Sequence, residues 1–102
     1  MKVRFAATAL LDLREAVAWI RKDSPRAAAR LRGVIQQTAA MIGDHPDIGV
    51  ERPGWSDLPF RFVTLKGYPY VIVYDRSLSP LVITRILHTS RDLPATLESG
   101  RP

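Results

Sequence analysis

Two apolar stripes of helical period, separated by only a few residues, constrain this chain more than any other feature. Leu10, Leu13, Val17 and Ile20 recur at intervals of three, four and three, the spacing that lines one side of an α-helix. Thr8 is placed to cap its start. Asp12 and Glu15 near the beginning, and Arg21 and Lys22 at the end, complement the helix dipole. Ser24 and Pro25 then open a second helix, the serine as N-cap and the proline at the first helical position, where its missing N–H is no loss. Its stripe runs through Ala28, Leu31, Ile35, Ala39 and Ile42; Gly43 stands where a C-terminal cap belongs, and Pro46 blocks continuation. A connection this short makes the two helices fold back on one another as a hairpin. Arg26, Arg30 and Arg32 occupy the side away from the stripe, a solvated face by default.

The hairpin needs an apolar partner, and the flanking sequence supplies strands. Val3 and Phe5 alternate with Lys2 and Arg4 as in a short half-buried strand. His45 to Pro59, which holds Pro46, Gly49, Pro53, Gly54 and Pro59, reads as an irregular loop. Phe60 to Leu65 is the next strand, Lys66-Gly67 a turn, and Tyr68 to Asp75 a β-branched and aromatic strand. Arg76 to Pro80 turns again into Leu81 to His88. Such short connections make these three strands an antiparallel meander. The tail from Thr89 holds at most one helical turn around Leu93 to Leu97. The expected fold is therefore α+β in two layers, β-α-α-β-β-β, with the helical hairpin covering one face of the sheet. Residues 1–102 read as a single domain.

The chain has no cysteine, which excludes disulfides and thiolate metal sites and fits a reducing cytoplasm. No apolar run approaches the roughly 20 residues of a membrane span. The first five residues are too short and too charged to read as a signal peptide. A soluble, cytoplasmic protein is expected. Lysine and arginine outnumber the acids 15 to 10, and twelve of the fifteen are arginine, whose planar fork suits carboxylates and phosphates alike. An acidic protein and a nucleic acid are both compatible partners for the resulting charge of +5.

Motifs for familiar chemistry are missing: no glycine-rich phosphate loop, no cluster at metal-ligand spacing, no Ser-His-Asp arrangement. Neither a cofactor nor a metal is expected. Of two histidines, His45 precedes a proline in the loop, whereas His88 ends the last strand. The two-residue period places His88 with Val82, Thr84 and Ile86, and Arg85 on the opposite side with Leu81, Ile83 and Leu87. Arg91 and Asp92 follow. A histidine beside an arginine suits work on a phosphate, the imidazole moving a proton and the guanidinium stabilising charge. The plainer reading is that His88 closes the strand while Arg91 and Asp92 pair or cap the tail. Arg61 interrupts an apolar strand, and Lys66 sits at a hairpin tip. Tyr68, Tyr70 and Tyr74 share one face of the central strand, either as packing or as a platform for RNA bases.

Several segments resemble one family in order and at compatible spacing across nearly the whole chain. They are Thr8 to Leu13, Ser24 to Ala28, His45 to Gly49, Leu58 to Arg61, Tyr70 to Tyr74 and, above all, Ile86 to Leu93. Together they resemble the RelE/ParE superfamily of bacterial toxins from type II toxin–antitoxin systems. The resemblance implies the β-α-α-β-β-β fold and a small antitoxin partner whose disordered C-terminal segment orders as it wraps the toxin; an acidic C-terminal segment would suit the charge of +5. It also implies a toxin–antitoxin hetero-oligomer. The Leu-His-x-x-x-Asp-Leu ending and the His-Pro-x-x-Gly loop look more like the ParE branch, which lacks a catalytic set and poisons DNA gyrase. On that reading Arg91, Asp92, Leu93 and Leu97 are the target-contact candidates. The RelE branch, a metal-independent ribonuclease acting on mRNA at the ribosome, would instead use Arg61 and Arg91 to hold the phosphate and His88 to transfer the proton. A third reading is an inactive module that binds only its antitoxin. On all three, Leu13, Val17, Tyr70 and Tyr74 are candidates for the antitoxin groove between helices and sheet.

Overall fold

The computed structural model of the chain describes residues 3–52 and 59–90. Its elements are β1 (Val3–Phe5), α1 (Ala7–Arg21), α2 (Pro25–Asp44), β2 (Val50–Glu51), β3 (Arg61–Thr64), β4 (Tyr70–Asp75) and β5 (Leu81–His88). The five strands form one sheet in the order β1-β5-β4-β3-β2. The three later strands make the expected antiparallel meander, and β1 joins its edge parallel to β5. The helical hairpin lies over one face, giving the expected α+β arrangement. Among the described residues, no helix is long and apolar enough to cross a membrane.

The second helix follows its local signals. Ser24 Oγ accepts the Ala27 N–H at 3.1 Å, Pro25 occupies the first turn, and Ala28, Leu31, Ile35, Ala39 and Ile42 are all buried. Gly43 is not its cap: the helix runs one residue further, to Asp44, and Gly43 is a buried helical position. The first helix departs more. Ala6 rather than Thr8 precedes it, with no side-chain cap, and its first turn holds no acid. Its buried residues are Ala9, Ala16 and Val17, whereas Leu10 is exposed and Leu13 and Ile20 are half-buried. Alanines at the contact let α1 lie close to its neighbours, which turns the larger leucines outward.

The core is one continuous cluster of Leu31, Ile35 and Ile42 from α2, Ala9 and Ala16 from α1, and Tyr70, Ile72, Tyr74, Leu81, Ile83 and Ile86 from the sheet. Burying each large side chain contributes about 1.5–3 kcal/mol before ordering costs. Val71, Val73, Phe62 and Leu87 form a second apolar cluster on the other face. The sheet therefore has two buried faces where one was expected. A run of five apolar residues in β4, every one buried, belongs to a strand covered on both sides.

Two further corrections concern register. The segment after α2 is not wholly irregular, because Val50 and Glu51 pair antiparallel with Phe62 and Arg61. More important, the pairing of β5 with β4 slips by one residue: Val73 stands opposite Arg85, but Tyr74 stands opposite Ile83. Thr84 is the extra residue of a β-bulge. Alternation counted through the strand consequently fails. Leu81 and Ile83 share a face with Ile86 and His88, and Leu87 lies on the other.

Candidate functional site

Three side-chain arrangements organise the surface around the sheet. The first grips the His45–Glu51 loop. Tyr74 stands near the end of β4 and is fully buried. Its hydroxyl donates to the Pro46 carbonyl at 2.5 Å and accepts the Gly49 N–H at 2.9 Å. Burial pushes the Tyr74 phenol above its ordinary value, an effect opposed by the Gly49 hydrogen bond and by the nearby charge of Arg61. Opposite Tyr74 on β3, Arg61 donates through Nη1 to the Gly49 carbonyl at 2.7 Å and the Asp47 carbonyl at 3.3 Å. The Asp47 carboxylate pairs with Arg76 and lies 4.0 Å from Arg61 Nη2. A Cβ at Gly49 would fall 2.6 Å from Tyr74 Cε1 and 2.8 Å from Arg61 Cβ, so only glycine fits. Arg61, a phosphate-holding candidate on sequence grounds, is engaged in tying down this loop. Its Nε is buried without a hydrogen-bond partner.

The second arrangement fixes the bulge. Asp12 does not serve the dipole of α1. Its carboxylate accepts Arg85 Nε at 2.7 Å, Arg85 Nη2 at 3.1 Å and the Ile86 N–H at 2.9 Å. One helical turn earlier, Thr8 Oγ1 donates to the Thr84 carbonyl at 2.7 Å. Thr8 and Asp12 thus hold the irregular residues of β5 from one side of α1. A polar pair four residues apart on the flank of an apolar stripe was the available signal for this, and it pointed equally well to a cap and a dipole contact.

The third is the end of β5. His88 is half-buried beside Tyr70, with ring centroids 5.3 Å apart and planes at 86°, an edge-to-face contact. His88 Nδ1 accepts the Ser90 N–H at 3.3 Å and lies 3.2 Å from Ser90 Oγ. A backbone N–H can only donate, so neutral His88 carries its proton on Nε2. His88 pairs with Tyr70 and Arg61 with Tyr74, on opposite flanks of β4. Four residues of strand separate them by about 13 Å along its axis, with roughly 10 Å more across it. The structure does not bring these two candidates together. Arg91, Asp92, Leu93 and Leu97 lie outside the described residues.

The groove candidates are also redistributed. Val17, Tyr70 and Tyr74 are buried in the chain's own core rather than lining an open groove, and Leu13 packs half-buried against it. Burial likewise removes Tyr70 and Tyr74 as base-stacking platforms. Among the described residues, the large apolar side chains left exposed are Leu10, Leu11 and Trp19 on α1, Met41 on α2, Ile48 and Val50 within the gripped segment, and Leu78 in the last turn.

This two-layer fold is shared with a chain of the chromosomal ParDE TA system from P. aeruginosa. That likeness has a TM-score of 0.72, covers 88% of this chain and 97% of that one, and carries 21% sequence identity. Residues 3–93 match the family described as the ParE toxin of type II toxin-antitoxin system, parDE. The chain belongs to this ParE toxin family. A Sinorhizobium fredii protein named "Putative toxin Y4kP" is 32% identical over 96 residues, which span 94% of this chain and 96% of the relative. Membership makes the protein the toxin of a ParDE-type toxin–antitoxin system and implies an antitoxin partner.

Proposed function

We propose that this toxin arrests growth in the cytoplasm by poisoning DNA gyrase, and that an antitoxin with an acidic C-terminal segment neutralises it in a hetero-oligomeric complex. The observation that carries this reading is the engagement of Arg61 and Arg85 on the sheet. Arg61 is bound to the Gly49 and Asp47 carbonyls and Arg85 to Asp12, and neither stands with His88. A ribonuclease that works without a metal needs cations and a proton carrier converging on one phosphate. The distribution of charges here supports a toxin that acts by contact instead. Arg91, Asp92, Leu93 and Leu97 remain the residues offered to the target. The antitoxin's apolar side chains have Leu10, Leu11 and Trp19 to cover, with half-buried Leu13 at their inner margin.

Purified toxin added to gyrase and supercoiled plasmid should accumulate cleaved gyrase–DNA complexes, and antitoxin should abolish the effect. Substituting Arg91 and Leu93 should weaken the poisoning without lowering antitoxin affinity. Codon-positioned mRNA cuts that disappear in His88→Ala, with gyrase unaffected, would overturn the proposal in favour of ribosome-dependent cleavage. Absence of both effects at high expression would identify an inactive, antitoxin-binding module.

A further inference from the structure

Between Trp19 and Met41 the outer surface of the helical hairpin carries exposed charged residues and no exposed large apolar side chain. Exposed large hydrophobics occur on α1 up to Trp19 and resume on α2 at Met41, with none between. The intervening stretch carries Arg21 and Lys22 at the end of α1 and Arg26 and Arg30 on α2, all exposed. Arg26 and Arg30, four residues apart, lie on one outward stripe about 6 Å apart along the helix axis. Arg32 is turned about a third of the way round the helix from Arg26 and belongs to a different flank. From residue 21 to residue 37 the only acid is Asp23. None of the four cations forms an ion pair among the described residues, unlike Arg61, Arg76 and Arg85 on the sheet side. Gly33 continues the outward stripe, and a Cβ there would meet nothing within 4 Å. A mid-helix glycine destabilises a helix relative to alanine, and no packing within the chain calls for it.

We infer that this end of the hairpin is a sequence-independent docking surface for the phosphate backbone of duplex DNA. A protein partner is disfavoured because tight protein contacts centre on buried apolar or aromatic anchors, and residues 21–37 expose no large apolar side chain. Single-stranded nucleic acid is disfavoured because it is held by base stacking on exposed aromatics; the nearest, Trp19, has Lys22 Nζ 5.0 Å from its ring centroid. Arginine forks spaced along a helix, with a bare backbone position beyond them, suit a chain of phosphates approached closely. The inference goes beyond gyrase poisoning and does not depend on it, since the duplex is offered without gyrase.

The test is fluorescence anisotropy of the full chain titrated onto a labelled duplex of about 25 base pairs across a salt series. Four phosphate contacts give a slope of log K on log salt near −3.6, so affinity should fall about 150-fold between about 50 and 200 mM salt. In the Arg26→Gln/Arg30→Gln double variant the slope should drop to about −1.8, a fall of only about twelvefold over the same range. An Arg4→Gln/Lys66→Gln control removes two exposed charges elsewhere and should keep the wild-type slope; circular dichroism of all three confirms equal folding. The inference is overturned if wild type shows no salt-dependent binding at the lowest salt, or if both double variants lose slope equally. It is also overturned if Arg26→Gln/Arg30→Gln weakens antitoxin binding and leaves the duplex affinity intact, which would make the surface a protein contact.

Discussion

Removing one oxygen from the core should unfasten a loop 25 residues away in sequence. Tyr74→Phe keeps the ring that packs beneath the hairpin and deletes only the hydroxyl, which accepts from Gly49 N–H and donates to Pro46 O. Each lost hydrogen bond contributes about 0.5–1.5 kcal/mol net, and leaving a buried donor unsatisfied costs about 1–3 kcal/mol. Gly49 is buried, so its N–H has no ready route to water. Arg61 still holds the Gly49 carbonyl, which limits the damage. The expected loss is about 2–4 kcal/mol, a lowering of Tm by roughly 10–25 °C for a domain of this size. Urea denaturation gives the free energy, and hydrogen exchange at the Gly49 amide gives the location. That amide should exchange much faster in the variant while amides in the middle of α2 follow only the global change. A loss under about 0.5 kcal/mol with the Gly49 amide still protected would refute the argument that Tyr74 holds the loop.

Two other expectations follow from the same contacts. Burial raises the phenol of Tyr74, so the folded protein holds that proton more tightly than the unfolded chain does. The contribution is flat below the ordinary value of 10.0 and is lost as pH rises from there through the folded pKa; Tyr74→Phe should show a shallower alkaline limb in the pH dependence of unfolding, and parallel limbs would sink the assignment. Asp12→Ala removes the acceptor for Arg85 and Ile86 N–H. With Arg85 partly exposed, the expected cost is about 1.5–3 kcal/mol, and a double-mutant cycle with Arg85→Gln should show coupling of about 1 kcal/mol; coupling near zero would mean that the ion pair does not fasten the bulge.

Much of the fold was legible because it rests on local rules. Ser24 and Pro25 start α2 as capping chemistry requires, and all five residues of its apolar stripe are buried. Lys66-Gly67 turns with Gly67 at φ 84°, a conformation that glycine adopts without strain. β5 runs from Leu81 to His88 as the pattern indicated. The candidate site was less legible. Arg61 announced itself as a cation in an apolar strand, but nothing local said that it would reach the Gly49 carbonyl. Asp12 read as a helix-dipole residue because its real partner is 73 positions away.

By itself, then, the order of residues determined every element but the short β2, the hairpin, the meander and the family, since caps, turns and periodicities act over a few neighbouring positions. Tertiary structure alone decided which side of β5 carries His88. One unpaired residue, Thr84, reverses the alternation, and that slip is set by pairing with β4 and by the grip of Thr8 and Asp12 from α1. A period of two counts residues along a single strand and has no knowledge of its neighbour, so a bulge fixed from outside the strand is invisible to it.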